Sequence, residues 1–180
     1  GGQGLMLSVL LAGFGGQGVL FAGKIMAYAG LIEEKYVSWL PSYGPEMRGG
    51  TANCSVCLSD EPIGSPLVLN PDVLIAMNLP SYDRFIDQVA PGGIAVIDSS
   101  LIAKRSDRTD IRCFYVPAAE KADTEGLSGL SNNILLGKAL QEAHFASLEA
   151  VEQAVAKCVP PKKQHLLEPN IRAIKLGMSL

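Results

Sequence analysis

The chain has 180 residues, enough for one domain with a substantial core. Hydrophobic residues make up 48% and charged residues 18%, a globular balance, and a net charge of −3 leaves no basic footprint for nucleic acid. No stretch reaches the roughly 18 to 20 apolar residues of a membrane span, and Gly1-Gly2-Gln3-Gly4 lacks the basic n-region of a signal peptide. These features point to a cytoplasmic protein with no membrane contact. Residues 1–7 read as a short extension holding the start of the first strand.

In chain order, Met6 to Ala12 is an apolar run suited to a buried strand, and Gly18 to Leu31 follows as a helix with Leu20, Phe21, Met26 and Tyr28 on it. Lys35 to Trp39 is a second strand candidate. The run from Pro41 to Gly50 is rich in turn residues, and a loop of that length inside a compact domain is often functional. Thr51 to Ser59 reads as a strand, possible as an antiparallel addition. Val73 to Met77 is a further strand, then Pro80 to Val89 a helix with Phe85, Ile86 and Val89 inward. Ile94 to Ile97 is a strand closed by Asp98, and Arg112 to Val116 is another. Ser131 to Phe145, Ser147 to Val159 and Glu168 to Leu176 read as helices, the last with Gly177 as C-cap. Alternating strands and helices predict a single α/β domain, its sheet mostly parallel and flanked by helices.

The first strand-to-helix junction carries Gly13, Gly15 and Gly18 at G-x-G-x-x-G spacing. Such a turn brings backbone N–H groups close to an anion at a helix N-terminus, or simply packs a tight bend. A nicotinamide site would also need an acid about 20 residues on, at the end of the second strand. Glu33 and Glu34 precede that strand, and Leu40 to Tyr43 after Trp39 include no acid. The dinucleotide reading fails its second test. The other anion-competent segment is Arg48-Gly49-Gly50-Thr51, a planar guanidinium beside approachable backbone. Arg48 could equally pair with Glu46.

No catalytic constellation emerges. His144 falls in a helix, His165 in a Lys-rich turn, and Lys24 comes too late for a phosphate-loop lysine. Cys54 and Cys57 form a C-x-x-C, yet on a strand residues three apart face opposite ways, which is wrong for one metal. No metal-binding set is expected. The chain looks equipped to hold an anion and not to do chemistry alone, as a binding module or one subunit of a larger enzyme would be.

Gly13-Phe14-Gly15-Gly16-Gln17-Gly18, together with the run from Trp39 to Cys54, resembles the gamma subunit of 2-oxoacid:ferredoxin oxidoreductases. Asp60 to Pro66, Asn132 to Gly137 and Glu168 to Ala173 fit the same family, so the resemblance covers residues 8–177. It implies a part in oxidative decarboxylation of a 2-oxoacid, most closely 2-oxoglutarate, to an acyl-CoA with electrons passed to ferredoxin. Thiamine diphosphate and iron–sulfur clusters are implied on alpha, beta and ferredoxin-like delta subunits, and coenzyme A is implied as a co-substrate contacted here. By motif position, Gly13, Gly15, Gly16, Gln17, Gly18, Arg48, Gly49, Gly50 and Thr51 would face the coenzyme A channel or the subunit junction. A purely structural assembly subunit and a free-standing nucleotide- or NAD(P)-binding protein are the alternatives.

Overall fold

The computed structural model describes residues 5–42 and 51–180. Six strands form one sheet in the order β2-β3-β1-β4-β5-β6. They are β1 (Met6–Phe14), β2 (Tyr36–Ser42), β3 (Thr51–Ser59), β4 (Val73–Ala76), β5 (Ile94–Asp98) and β6 (Arg112–Val116). β1, β4, β5 and β6 are mutually parallel, while β3 is antiparallel to both β1 and β2. The expected antiparallel addition is thus a two-strand extension. Pro41 is accommodated because β2 is an edge strand, where a missing N–H leaves no ladder partner unpaired.

Six helices follow: α1 (Val19–Ile32), α2 (Leu79–Phe85), α3 (Ala118–Thr124), α4 (Ser131–Ala143), α5 (Leu148–Cys158) and α6 (Leu167–Ser179). β1 is central and buried on both sides. Val9 and Leu11 face a core shared with α1, α4, α5 and α6, whereas Leu10 and Ala12 face a smaller core closed by Tyr82, Phe85 and Ile86 of the α2 region. Period-2 alternation therefore sends β1 residues into two different cores. No helix described here is long and apolar enough to cross a membrane.

α1 packs through small residues as well as through Ile25 and Met26. Leu20, Phe21 and Tyr28 are only partly buried, while Ala22, Gly23, Ile25, Met26, Ala29 and Gly30 are buried. Gly23 and Gly30, seven residues apart, lie on one stripe against β2 and β3. A Cβ on Gly23 would stand 2.7 Å from Cys54 Sγ, and one on Gly30 would stand 2.6 Å from Leu58 Cδ2. Small residues let the helix sit close to β2 and β3, while Leu20, Phe21 and Tyr28 are only partly buried.

Two helix ends differ from expectation. α4 stops at Ala143, because His144 takes a left-handed conformation (φ 51) at its C-cap. α6 runs through Gly177 to Ser179, so Gly177 is no cap. It is a contact point, where a Cβ would lie 1.8 Å from the carbonyl oxygen of Ile134 on α4. α3 is not among the expected helices, although Ala118-Ala119-Glu120-Lys121-Ala122 consists of strong helix formers.

Asp98, at the carboxyl end of β5, is 1% exposed and shows why α3 forms where it does. Its Oδ1 accepts from the N–H groups of Ser100 (3.0 Å) and Ala118 (3.1 Å), the latter opening α3. Its Oδ2 is buried without a partner among the described residues. Burial raises the Asp98 pKa above the ordinary carboxylate value, against the lowering effect of these hydrogen bonds. The folded chain therefore keeps this proton to a higher pH than the unfolded chain. It binds more protons across that window, and the Asp98 contribution to stability falls as pH rises from about 4 toward neutrality. In Asp98→Asn this component should vanish. Urea unfolding of both proteins at several pH values checks it, and a wild-type stability that rises relative to the variant over the window would refute it.

Candidate functional site

The carboxyl edge of the sheet is where the chain changes sides. The connection after β1 enters α1 on one face, and the connection after β4 enters α2 on the other. Neighbouring parallel strands whose helices diverge leave a crevice at their carboxyl ends, the usual ligand position in open α/β sheets. The glycine turn sits at that switch point.

Its geometry is built residue by residue. β1 ends at Phe14 (φ −75, ψ 150), Gly15–Gln17 form one 3-10 turn, and Gly18 is left-handed (φ 74) before α1 begins. That φ is the backbone reason for glycine at position 18. Gly13 needs glycine for space, since a Cβ there would lie 2.7 Å from both Gln17 Oε1 and Met77 Cβ. Gln17 is the brace of the turn. Its Oε1 accepts the Phe14 N–H at 2.6 Å, and its Nε2 donates to the Met77 carbonyl at 3.1 Å. The first bond closes a local loop, while the second ties the turn to the end of β4. The first turn of α1 then presents backbone N–H groups that have no partner within the helix, at the positive end of its dipole.

Thr51 is brought to the same edge because it pairs with Phe14 in the β1–β3 ladder. Beside it, a cleft of about 70 Å³ is lined by Asn53, Pro80, Ser81, Arg84 and Phe85, so β3 and α2 meet next to the turn. Arg48, Gly49 and Gly50 lie outside the described residues. A larger cavity of about 510 Å³ opens at the opposite, amino edge, between Lys35, Asp60, Asp72, Arg112 and His144. There Lys35 is already paired with Asp60 at 2.8 Å, and Arg112 lies over the Phe114 ring. Its size does not make it the better anion site.

The strand order counts against the dinucleotide reading on a second ground. In a nicotinamide-binding fold the second strand lies beside the first, so that an acid at its end reaches the ribose. Here antiparallel β3 separates β1 from β2, and Thr51 stands where that acid would be needed.

Residues 8–180 match the family described as pyruvate ferredoxin/flavodoxin oxidoreductase. The chain belongs to that family. A ketoisovalerate oxidoreductase subunit VorA from Methanothermobacter thermautotrophicus is 40% identical over 94% of this chain, which spans only 35% of that protein. The chain thus covers about a third of the length of this relative. A 2-oxoglutarate synthase subunit KorC from Methanocaldococcus jannaschii is 33% identical, with 94% of this chain and 90% of that protein aligned. The keto/oxoacid ferredoxin oxidoreductase gamma subunit from Geobacter sulfurreducens shares the fold at a TM-score of 0.86 with 28% identity, covering 97% of this chain and 95% of that one.

Within the family fold, the other polar groups flagged by the sequence stand apart from the turn. All four cysteines are free. Cys54 faces the larger core, where burial pushes its thiol up to about 12 despite a hydrogen bond with Trp39. Cys57 pairs with Ser8 on the opposite face. The Cys54 thiol is a poor nucleophile. Among the described residues no three His, Cys, Asp or Glu side chains converge as metal ligands. His144 lines the amino-edge cavity and His165 lies in the 3-10 segment Pro161–Leu166.

Two edge residues escaped the sequence reading. Asn78 caps α2, its Oδ1 accepting the Ser81 N–H at 2.9 Å. Asn before Leu79-Pro80 is a legible cap signal, hidden because the helix start was placed at Pro80. Asn132 reaches back 114 residues to bond the Gly18 carbonyl, which no local pattern predicts.

Proposed function

We propose that this chain is the gamma subunit, or gamma domain, of a 2-oxoacid:ferredoxin oxidoreductase. It supports CoA-dependent oxidative decarboxylation of a 2-oxoacid to an acyl-CoA, with electrons passing to ferredoxin. The observation that carries the reading is a braced glycine turn at the switch point of a chain that matches this family over residues 8–180.

Coenzyme A carries several phosphate charges, and the open α1 N-terminus suits one of them. Gly15 and Gly16 carry no side chains, Gly18 (φ 74) sets the bend, and Gln17 is spent on bracing the turn. Arg48, Gly49, Gly50 and Thr51 supply the second wall of the channel in this reading. Thiamine diphosphate, which attacks the keto carbon, and the iron–sulfur clusters belong to the alpha, beta and delta partners. This chain binds and orients, and the cofactor chemistry is done elsewhere. Relatives are named for ketoisovalerate and for 2-oxoglutarate. 2-Oxoglutarate and a branched-chain 2-oxoacid are accordingly the two substrates to test.

The test is oxygen-free purification of the tagged chain from its own cells, followed by 2-oxoacid- and CoA-dependent reduction of an artificial acceptor. Activity with co-purifying larger subunits supports the reading, and the preferred 2-oxoacid names the substrate. An inactive chain that elutes alone and binds NAD(H) would replace it with a free-standing nucleotide binder. Arg48→Ala separates channel from assembly. Loss of a charge-assisted contact should raise the CoA KM about tenfold or more with the complex intact. A complex that fails to assemble, with no change in CoA affinity in what remains, would mark a structural subunit.

A further inference from the structure

Gly18 is held from a distance. Asn132, the second residue of α4, donates from Nδ2 to the Gly18 carbonyl at 3.0 Å. The same amide fills the space a side chain at position 18 would take, since a Cβ there would meet Asn132 Nδ2 and Cγ at 2.4 and 2.9 Å. A carbonyl can only accept, so the amide must turn its nitrogen to Gly18, which leaves Oδ1 buried without a partner among the described residues. A buried amide oxygen left without a partner costs stability, so its retention calls for a role. The Gly18 carbonyl does not need Asn132 to avoid being orphaned, because it also accepts the Ala22 N–H at 3.1 Å.

What stands behind Asn132 is stiff. The next residue, Asn133, donates to Asn170 Oδ1 on α6, and Asn170 donates in turn to the Leu166 carbonyl at 2.7 Å. Gly137 and Gly177 let the two helices approach to backbone contact one to two turns further along. The first turn of α4 is therefore fixed by α6, and it fixes the glycine turn.

We propose that Asn132 is the positioning residue of the anion-binding turn. It holds Gly18 in its left-handed conformation so that the α1 N–H groups are aimed before a ligand arrives, with the α4–α6 pair as backing. The proposal rests on the reading that coenzyme A binds at this turn.

The experiment uses the assembled complex and CoA as the probe. In Asn132→Ala the CoA KM should rise about five- to tenfold while kcat stays within about twofold, the effect of one lost positioning bond. Asn132→Asp keeps the size, removes the donor and sets a negative charge beside the turn. It should raise the CoA KM further than the alanine does. A second readout needs no activity: in thermal melts of the full chain, Gly18→Ala should cost less in an Asn132→Ala background, because the clashing amide is gone. An unchanged CoA KM in Asn132→Ala, beside a raised one in Gly18→Ala, would overturn the positioning role and leave the binding reading standing. An unchanged KM in both would overturn both. A parallel fall in kcat and melting temperature would reduce Asn132 to a packing residue, and strictly additive melts would show that Asn132 does not bear on Gly18; either result would overturn the proposal.

Discussion

Gly137→Ala is expected to destabilise this chain by about 3 kcal/mol or more, the scale of severe overpacking in a core. A Cβ at 137 would lie 1.9 Å from the Ile174 carbonyl oxygen, and Gly177 mirrors it with 1.8 Å to the Ile134 oxygen. The obstacle in each case is backbone, so no rotamer change can relieve it. The intrinsic preference points the other way, since alanine is favoured over glycine in a helix interior by about 1 kcal/mol. The clash wins because the helices must separate for alanine to fit. Separation would pull Asn133 from Asn170 and unpack Ile134 and Ile174, both essentially fully buried. Urea unfolding of the full chain measures the effect. A variant as stable as the wild type would show that the α4–α6 crossing is looser than described.

Gly13→Ala should be strongly damaging at the site. The new Cβ would stand 2.7 Å from Gln17 Oε1 and from Met77 Cβ, with Val19 Cγ2 at 3.3 Å. Gln17 is pinned at both amide atoms and Met77 Cβ is rooted in the backbone, so the turn itself must move. Two hydrogen bonds worth about 1 kcal/mol each would be weakened. We expect a stability loss of about 2 kcal/mol and a CoA KM raised tenfold or more in the assembled enzyme. Stability reduced with CoA affinity untouched would place the coenzyme elsewhere.

Much of this protein was legible in the sequence. Short apolar runs such as Val73 to Met77 and Ile94 to Ile97 could be read as strands because burial on both faces demands unbroken apolar character. The C-x-x-C pair could be set aside on strand geometry, and the faces of Cys54 and Cys57 are indeed opposite. Gly177 was misread for an instructive reason. A glycine near the end of a helical pattern signals a cap when only local conformation is considered. In the folded chain its value is the missing side chain, and what that absence admits is a carbonyl 43 residues away in α4.

The sequence by itself determined the element order apart from α3, the α/β class, the glycine turn and the family resemblance, because these depend on local spacing and motifs. Only the tertiary structure decided that β3 comes between β1 and β2, that the turn stands at the switch between the two faces, and that Gln17, Met77 and Asn132 hold it. Those facts rest on contacts between residues up to 114 positions apart, and such contacts leave no periodic trace in a single chain.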